Sequence, residues 1–421
     1  MREFRFKIRK LVEILKLYHI TSMRKHISFL ITLCIFTALS SFSQSNDKTV
    51  SLLQHDKDTE YLIHLKKVKE RLSLKISDFA TDFKFVRLET RKECLLGEGT
   101  YYVTNEYILV EKPKHGILQF DSNGKFIRTL VKTGQGPKEY LMLKWAVDEE
   151  NQILYLNDYT KNGYILSYDL HSGEYRGDIR KAIPGVTVDI RLLEDNSLLL
   201  QNGAYAQNDQ EKCLLYYQDL SGKLLKRVNT PKEMFFSLQS NKIINQFPPF
   251  RYFVRNLDTV FTINDNKMIP FLVFDYGEPN PPGINTAGHK SMFINHETSQ
   301  WVFFYKFFIT KDNVKYATIG DADYYLLDKK KNKVFLHDYL YIDPLHHLMS
   351  SSKTEFIQFQ SNGIIQYDFQ ALDLIELTKL ALADPEFTEP YRSKLEELVK
   401  DLDEEDNPVL LIGRYEYKMI I

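Results

Sequence analysis

The chain has 421 residues, 43% hydrophobic and 26% charged, with a formal net charge of −1. That balance excludes a disordered or fibrous chain and supplies no basic excess for gripping nucleic acid. Its 26 Tyr and 28 Phe, set among short runs of Ile, Leu and Val, favour strands, because branched and aromatic side chains pack well on a pleated surface.

Residues 1–22 form a basic amphipathic stretch ahead of a second methionine, so translation is expected to start at Met23. Residues 23–43 (MRKHISFLITLCIFTALSSFS) have a basic start (Arg24, Lys25), an apolar core from Ile27 to Leu39 and small residues at the end. This is the pattern of a secretory signal peptide, with cleavage expected after Ser43. The core is too short for a membrane span of about 20 apolar residues. Leu33 before Cys34 does not suit lipid attachment. The expected location is therefore periplasmic or extracellular, with no transmembrane anchor after cleavage. Removing residues 1–43 takes away eight Lys/Arg and two Asp/Glu, leaving 47 basic and 54 acidic residues and a net charge of −7. Cys94 and Cys213 stand too far apart to define a disulfide framework, and their pairing is left open.

Residues 44–80 read as a lead-in, since 61–75 mix Leu, Lys and Glu without strand alternation. From 81 onward a repeat emerges. LQFDSNGKFIRTL (118–130), LSYDLHSGEYRGDI (166–179) and LYYQDLSGKLLKRV (215–228) share a pattern of strand, polar turn and strand, with Gly124, Gly173 and Gly222 spaced 49 residues apart. A turn of this composition between apolar runs marks a hairpin. A period near 40–50 residues is that of propeller blades. Weaker copies follow at 260–274, with a turn near Asn266, and at 325–339, with a turn near Asn332. The Pro/Gly-rich stretch 277–290 between them reads as a loop. Residues 340–375 supply one further blade, and strand 82–90 is placed to close the ring with the last blade. A helix over 384–406, with Leu395, Leu398, Val399 and Leu402 at helical spacing, is expected to pack on the propeller, followed by a last strand, 409–417.

An ordered set of segments carries a resemblance: FVRLET (85–90) with LLGEG (95–99), FDSNGKFIRTL (120–130), GQGPKEY (134–140), NLDTVFTIN (256–264) with PFLVFDYGE (270–278), and EEDNPVLLIGRYE (404–416). Together they resemble the six-bladed β-propeller family of secreted Bacteroidetes proteins, distantly similar to NHL-repeat propellers. The resemblance implies a fold and an exported setting. It carries no catalytic residues.

Chemistry is sparse. VKTGQGPKEY (131–140) has Glu139 where a dinucleotide fingerprint needs its third glycine, and the chain has no Walker loop, so no nucleotide is expected. The loop reads as a corner between blades, with Gly134 and Gly136 permitting unusual backbone angles, Pro137 stiffening the exit and Tyr140 packing beneath. The chain carries neither a serine-nucleophile elbow nor a zinc helix motif, since His296-Glu297 lacks a second histidine. His346 and His347, adjacent on a strand, would point to opposite faces. The acidic run 401–406 has Asp406 where a calcium loop needs glycine, and reads as a solvated helix end. Asp148, Asn157, Asp158 and Asp169 could face a central channel but match turn positions equally well.

The expectation is an all-β, six-bladed propeller with a C-terminal helix and no cofactor. It would be a monomer and non-enzymatic, binding a glycan, peptide or partner protein through loops such as 277–300 and 231–250. Tyr252, Phe253, Trp301 and Tyr305 are candidates for stacking on sugars, with core packing the alternative. The rival is a metal-dependent hydrolase, lactonase or lyase with its site in the channel.

Overall fold

A computed structural model describes residues 53–415, apart from 57–58, 98, 142, 159, 162, 203–212, 230–241, 244–249, 255–257, 265–266, 279–289, 309–322, 351–356 and 361. The leader, the turn at Asn266, and residues 231–241, 244–249 and 279–289 of the two loops expected to bind ligand lie outside the described residues, while Lys290–Glu297 of the second is a strand and not loop.

Seven sheets follow one another along the chain as propeller blades. Blade 1 is Thr100–Val103, Tyr107–Lys112, Gly116–Asp121 and Phe126–Lys132; blade 2 is Leu143–Asp148, Ile153–Asp158, Tyr164–Asp169 and Tyr175–Arg180. Blade 3 is Thr187–Leu192, Leu198–Asn202, Cys213–Gln218 and Leu224–Asn229. Blade 4 is Lys242–Ile243, Phe250–Val254, Thr259–Asn264 and Lys267–Asp275; blade 5 is Lys290–Glu297, Trp301–Phe308, Asp323–Asp328 and Lys333–Leu336. Blade 6 is a small sheet of Tyr339–Ile342, His347–Ser350 and Leu74–Lys75. Blade 7 combines Gln358–Phe359, Ile364–Phe369 and Val409–Arg414 with Thr81–Arg87 from the other end of the chain.

The count is seven blades, not six. The stretch expected to hold one blade divides between blade 6 and the first strands of blade 7. The blade 6 hairpin turns through Asp343–Leu345 with neither glycine nor asparagine, so the turn residues that mark the other hairpins are missing there. Blade 6 does not separate the inner strands of its neighbours, since the His296 ring of blade 5 lies 4.4 Å from Phe359 of blade 7.

Middle strands are covered on both sides, and their burial shows it: Ile153–Asp158 is buried almost throughout, while the outer strand Tyr175–Arg180 alternates with a period of two. The seams between blades are apolar. Blades 1 and 2 meet through Leu109, Ile117, Leu154 and Leu166, and blades 2 and 3 through Tyr155, Ile165, Leu198 and Leu200. Full burial of each such side chain contributes about 1.5–3 kcal/mol. Cys94 and Cys213 belong to separate clusters and are not bridged.

The expected hairpin turns form where the glycines place them. Gly124, Gly173 and Gly222 have φ of 86°, 80° and 87°. At the first and third, an aspartate three residues earlier accepts amide hydrogens with its side chain, Asp121 from Asn123 and Lys125, Asp219 from Ser221 and Lys223. A Cβ on Gly124 would stand 2.0 Å from the Arg87 carbonyl oxygen, and one on Gly222 would stand 2.5 Å from that of Arg180. Each tip therefore rests on the outer strand of the preceding blade.

Residues 59–87 form a belt around the remaining blades. Thr59–His64 adds in parallel to the outer strand of blade 4, pairing Tyr61 with Leu272. Arg71 bridges to Leu336 of blade 5, Leu74–Lys75 joins blade 6, and Thr81–Arg87 closes blade 7 antiparallel to Val409–Arg414. The closure by strand 82–90 is thus present, and the lead-in is part of the fold. Ile63, Leu65, Val68, Leu74 and Ile76 are buried along the belt. A hydrogen bond between His64 and Asp275 fastens it, as do ion pairs of Lys66 to Glu278, Lys333 to Glu70 and Arg71 to Asp338.

The C-terminal helical region also differs from expectation. Two helices, α1 (Ala371–Ala383) and α2 (Tyr391–Val399), replace the single helix over 384–406. α1 buries Ala371, Leu374, Ile375, Thr378 and Ala381 at helical spacing, against the cluster shared by blades 5, 6 and 7. It stops before Pro385, which disfavours helical backbone in the residue ahead of it. Among the described residues no helix is long and apolar enough to cross a membrane.

Candidate functional site

The corner loop 131–140 has the opposite polarity from a phosphate cradle. Gly136 and Glu139 exchange hydrogen bonds, the Gly136 amide donating to Glu139 Oε2 at 3.0 Å and the Glu139 amide to the Gly136 carbonyl at 3.1 Å. Lys161 Nζ fills the hollow and donates to the carbonyls of Gly136 (3.1 Å), Pro137 (3.0 Å) and Glu139 (2.5 Å). A phosphate site turns amide hydrogens inward; this loop turns carbonyl oxygens inward and already holds a cation. Neither glycine has a positive φ, contrary to the expectation of unusual backbone angles. A Cβ on Gly134 would lie 2.0 Å from Glu139 Oε2, the free end of a flexible side chain, so it would push that carboxylate off the Gly136 amide and would not meet backbone. Tyr140 is buried beneath, as expected. Beside it, Lys181 is 1% exposed, with its Nζ 3.4 Å from the Lys161 carbonyl. Burial pushes its pKa down to about 8, opposed by nearby Asp158.

The four candidate channel residues are separately engaged. Asp148 accepts from the Asn151 amide and side chain, both at 2.9 Å, and Asp169 from the Ser172 amide at 2.8 Å. Asp158 accepts from the Leu141 and Thr160 amides, and Asn157 Nδ2 donates to the Thr187 carbonyl across the seam of blades 2 and 3. Among the described residues no three His, Cys, Asp or Glu groups come together as a metal cluster. The acidic run 401–406 lies beyond the end of α2 and folds into a turn, with Asp406 paired to Arg87 at 3.2 Å.

His346 and His347 do not share a strand. His346 takes a left-handed conformation (φ 46°) ahead of the strand that His347 begins. Its ring joins Tyr341 Oη at 2.5 Å to Asp384 Oδ2 at 3.1 Å and packs against Phe387, tying blade 6 to the end of α1. Of the aromatic candidates, Tyr252, Phe253 and Trp301 are buried in the core, and Tyr305 stacks on Phe293 at 5.3 Å between centroids.

A cleft missed by sequence reading opens where the belt crosses from blade 4 to blade 5. It encloses about 410 Å³, within the size range of small-molecule sites. The belt contributes Lys66 and Lys69, the exit of blade 4 contributes Tyr276 and Glu278, and blade 5 contributes Lys290, Lys306, Asp323 and Tyr325. Glu278 lies between Lys66 and Lys290 and pairs with both, and Lys306 pairs with Asp323 at 2.5 Å. Lys69 has no ion-pair partner among the described residues. Four ammonium groups against two carboxylates make the cleft cationic in a chain of net charge −1. Lys290 foremost, and Lys66 after it, hold the Glu278 carboxyl below its usual range. Burial raises the phenols of Tyr276 and Tyr325, which stay protonated and donate to Asp258 and Asp323. No local motif announces this site, because its lysines come from three separate segments.

Fold and site together define a seven-bladed β-propeller with a cationic cleft beside its outer rim. The chain belongs to the family described as "Domain of unknown function (DUF4934)", whose model matches residues 60–414. No match was found among curated proteins. Among solved structures, a "Putative exported protein" from Bacteroides fragilis NCTC 9343 is similar with a TM-score of 0.56 and 16% identity, covering 83% of this chain and 99% of its own. Hydrazine synthase from Kuenenia stuttgartiensis gives a TM-score of 0.35 and 11% identity, covering 76% of this chain and 90% of its own. The first of these likenesses concerns the fold alone.

Proposed function

We propose that the protein is an exported, non-enzymatic binding protein that holds its ligand in the cleft between the belt and blades 4 and 5. The cleft carries the reading: it combines a small-molecule volume with four lysines on a rigid scaffold, in a chain whose overall charge is slightly negative. Export rests on the leader pattern at 23–43. The ligand classes considered are a glycan, a peptide and a partner protein, and Glu278 and Lys290 of the cleft belong to the stretch 277–300 where binding was expected. Two measurements test this. Fractionation of the native organism, with N-terminal sequencing, should find the chain outside the cytoplasm and beginning at Gln44. A glycan array and a peptide library probed with the purified protein should give hits that Lys290→Met with Lys306→Met abolishes. Hits untouched by that double change would remove the cleft from the function.

A further inference from the structure

We infer that the cleft is built for a carboxylate-bearing sugar, and that Glu278 occupies the ligand's carboxylate position in the free protein; this rests on the binding reading above. Glu278 is half exposed, yet its carboxylate sits between Lys66 of the belt and Lys290 of blade 5, pairing with both. Lys290 and Lys306 are each only 20% exposed, so their ammonium groups are partly withdrawn from water and aimed into the cleft. With Lys69 lacking an ion-pair partner there, the site has more cationic capacity than its own acids use. A ligand carboxylate reaching Lys290 would displace Glu278 into solvent, where its charge is readily hydrated.

The neighbouring strands count against an extended peptide. Extended peptides gain affinity by adding to an open sheet edge. Here the outer strand of blade 4 is already paired with Thr59–His64, and Leu336 of blade 5 is bridged by Arg71. The blade 4 edge is occupied along the ladder, and the blade 5 edge at Leu336, the residue of that strand that lines the cleft. A compact acidic sugar needs no edge, only cations and a cleft of this volume.

The test is calorimetric titration of the full mature chain with a hexuronic-acid trisaccharide, its carboxyl-reduced counterpart and a Glu-rich peptide, at low and high salt. The uronate should bind, weaken with salt, and lose at least tenfold on carboxyl reduction. Glu278→Gln should tighten uronate binding several-fold by removing the internal competitor, while Lys290→Met should weaken it at least tenfold. Unchanged melting temperatures would show that both variants fold. Weaker binding by Glu278→Gln would overturn the placeholder role, and equal binding of the reduced sugar would overturn the carboxylate. Preference for the Glu-rich peptide would overturn the sugar class but leave the cleft as the binding site. A failure of uronate to bind, alongside array hits that depend on Lys290 and Lys306, would defeat this inference and spare the broader one.

Discussion

Blades 1–3 and blades 4–7 solve the same problem in two ways. Each blade must be locked to the next, and in the first group the lock is local: a hairpin tip with a left-handed glycine rests on the preceding outer strand, as Gly124 does on Arg87 and Gly222 on Arg180. In the second group the lock is remote. The belt 59–87 runs outside blades 4, 5 and 6 and becomes the outer strand of blade 7. A local lock leaves little free space, because the tip and the strand are in contact. A belt bridges the gap between two blades from outside and can leave a cleft beneath it, which is where the lysines gather.

The comparison can be broken most strongly at the belt. Ile63→Ala, at a fully buried belt position, should cost roughly 3 kcal/mol in urea unfolding. A cost under about 1 kcal/mol would mean that the belt contributes little to closing the second group.

Lys181 tests the corner between blades 2 and 3. Its folded pKa, about 8, lies below the 10.5 of a free lysine, so the unfolded chain binds more protons between those values and stability rises with pH across that window. Lys181→Met should therefore stabilise the protein by roughly 2–3 kcal/mol near pH 7. That gain should disappear by about pH 10.5 when each variant is measured against wild type. A gain that does not depend on pH would indicate better packing and not relief of a buried charge.

Next in size is the local lock. Gly124→Ala should cost roughly 2 kcal/mol, from left-handed strain and contact with the Arg87 carbonyl. Gly97→Ala, which meets nothing within 4 Å, should stay within about 0.5 kcal/mol. Similar melting curves for the two would show that the tips are not locks.

The smallest expected effect is electrostatic. Asp275, held down chiefly by its hydrogen bond from His64, and Glu278, held down chiefly by Lys290, both have folded pKa values below their ordinary 3.8 and 4.5. Their contribution is present above the ordinary values and fades as pH falls below about 4.5 through the folded values. Proteolysis within 59–80 should therefore accelerate below pH 4.5 before blades 1–3 are cut. Simultaneous cutting of both regions would show that these pairs do not hold the belt in place.

What the sequence determined by itself was local. The Asp-x-x-Gly turns of blades 1 and 3, the alternation of outer strands and the unsuitability of VKTGQGPKEY for phosphate all depend on residues a few positions apart. Blade 6 escaped because its hairpin has neither glycine nor asparagine at the turn. α1 escaped because its apolar residues, including Leu380 at 69% exposure, do not confine themselves to one face. The tertiary structure alone decided the belt, the cleft and the Tyr341–His346–Asp384 tie. A short parallel strand such as Thr59–His64 has no pattern of its own; it becomes a strand when Tyr61 meets Leu272, more than 200 residues away. The same holds for charge: Lys66, Glu278 and Lys290 are ordinary surface residues in the sequence, and only the belt's path brings them within reach of one another.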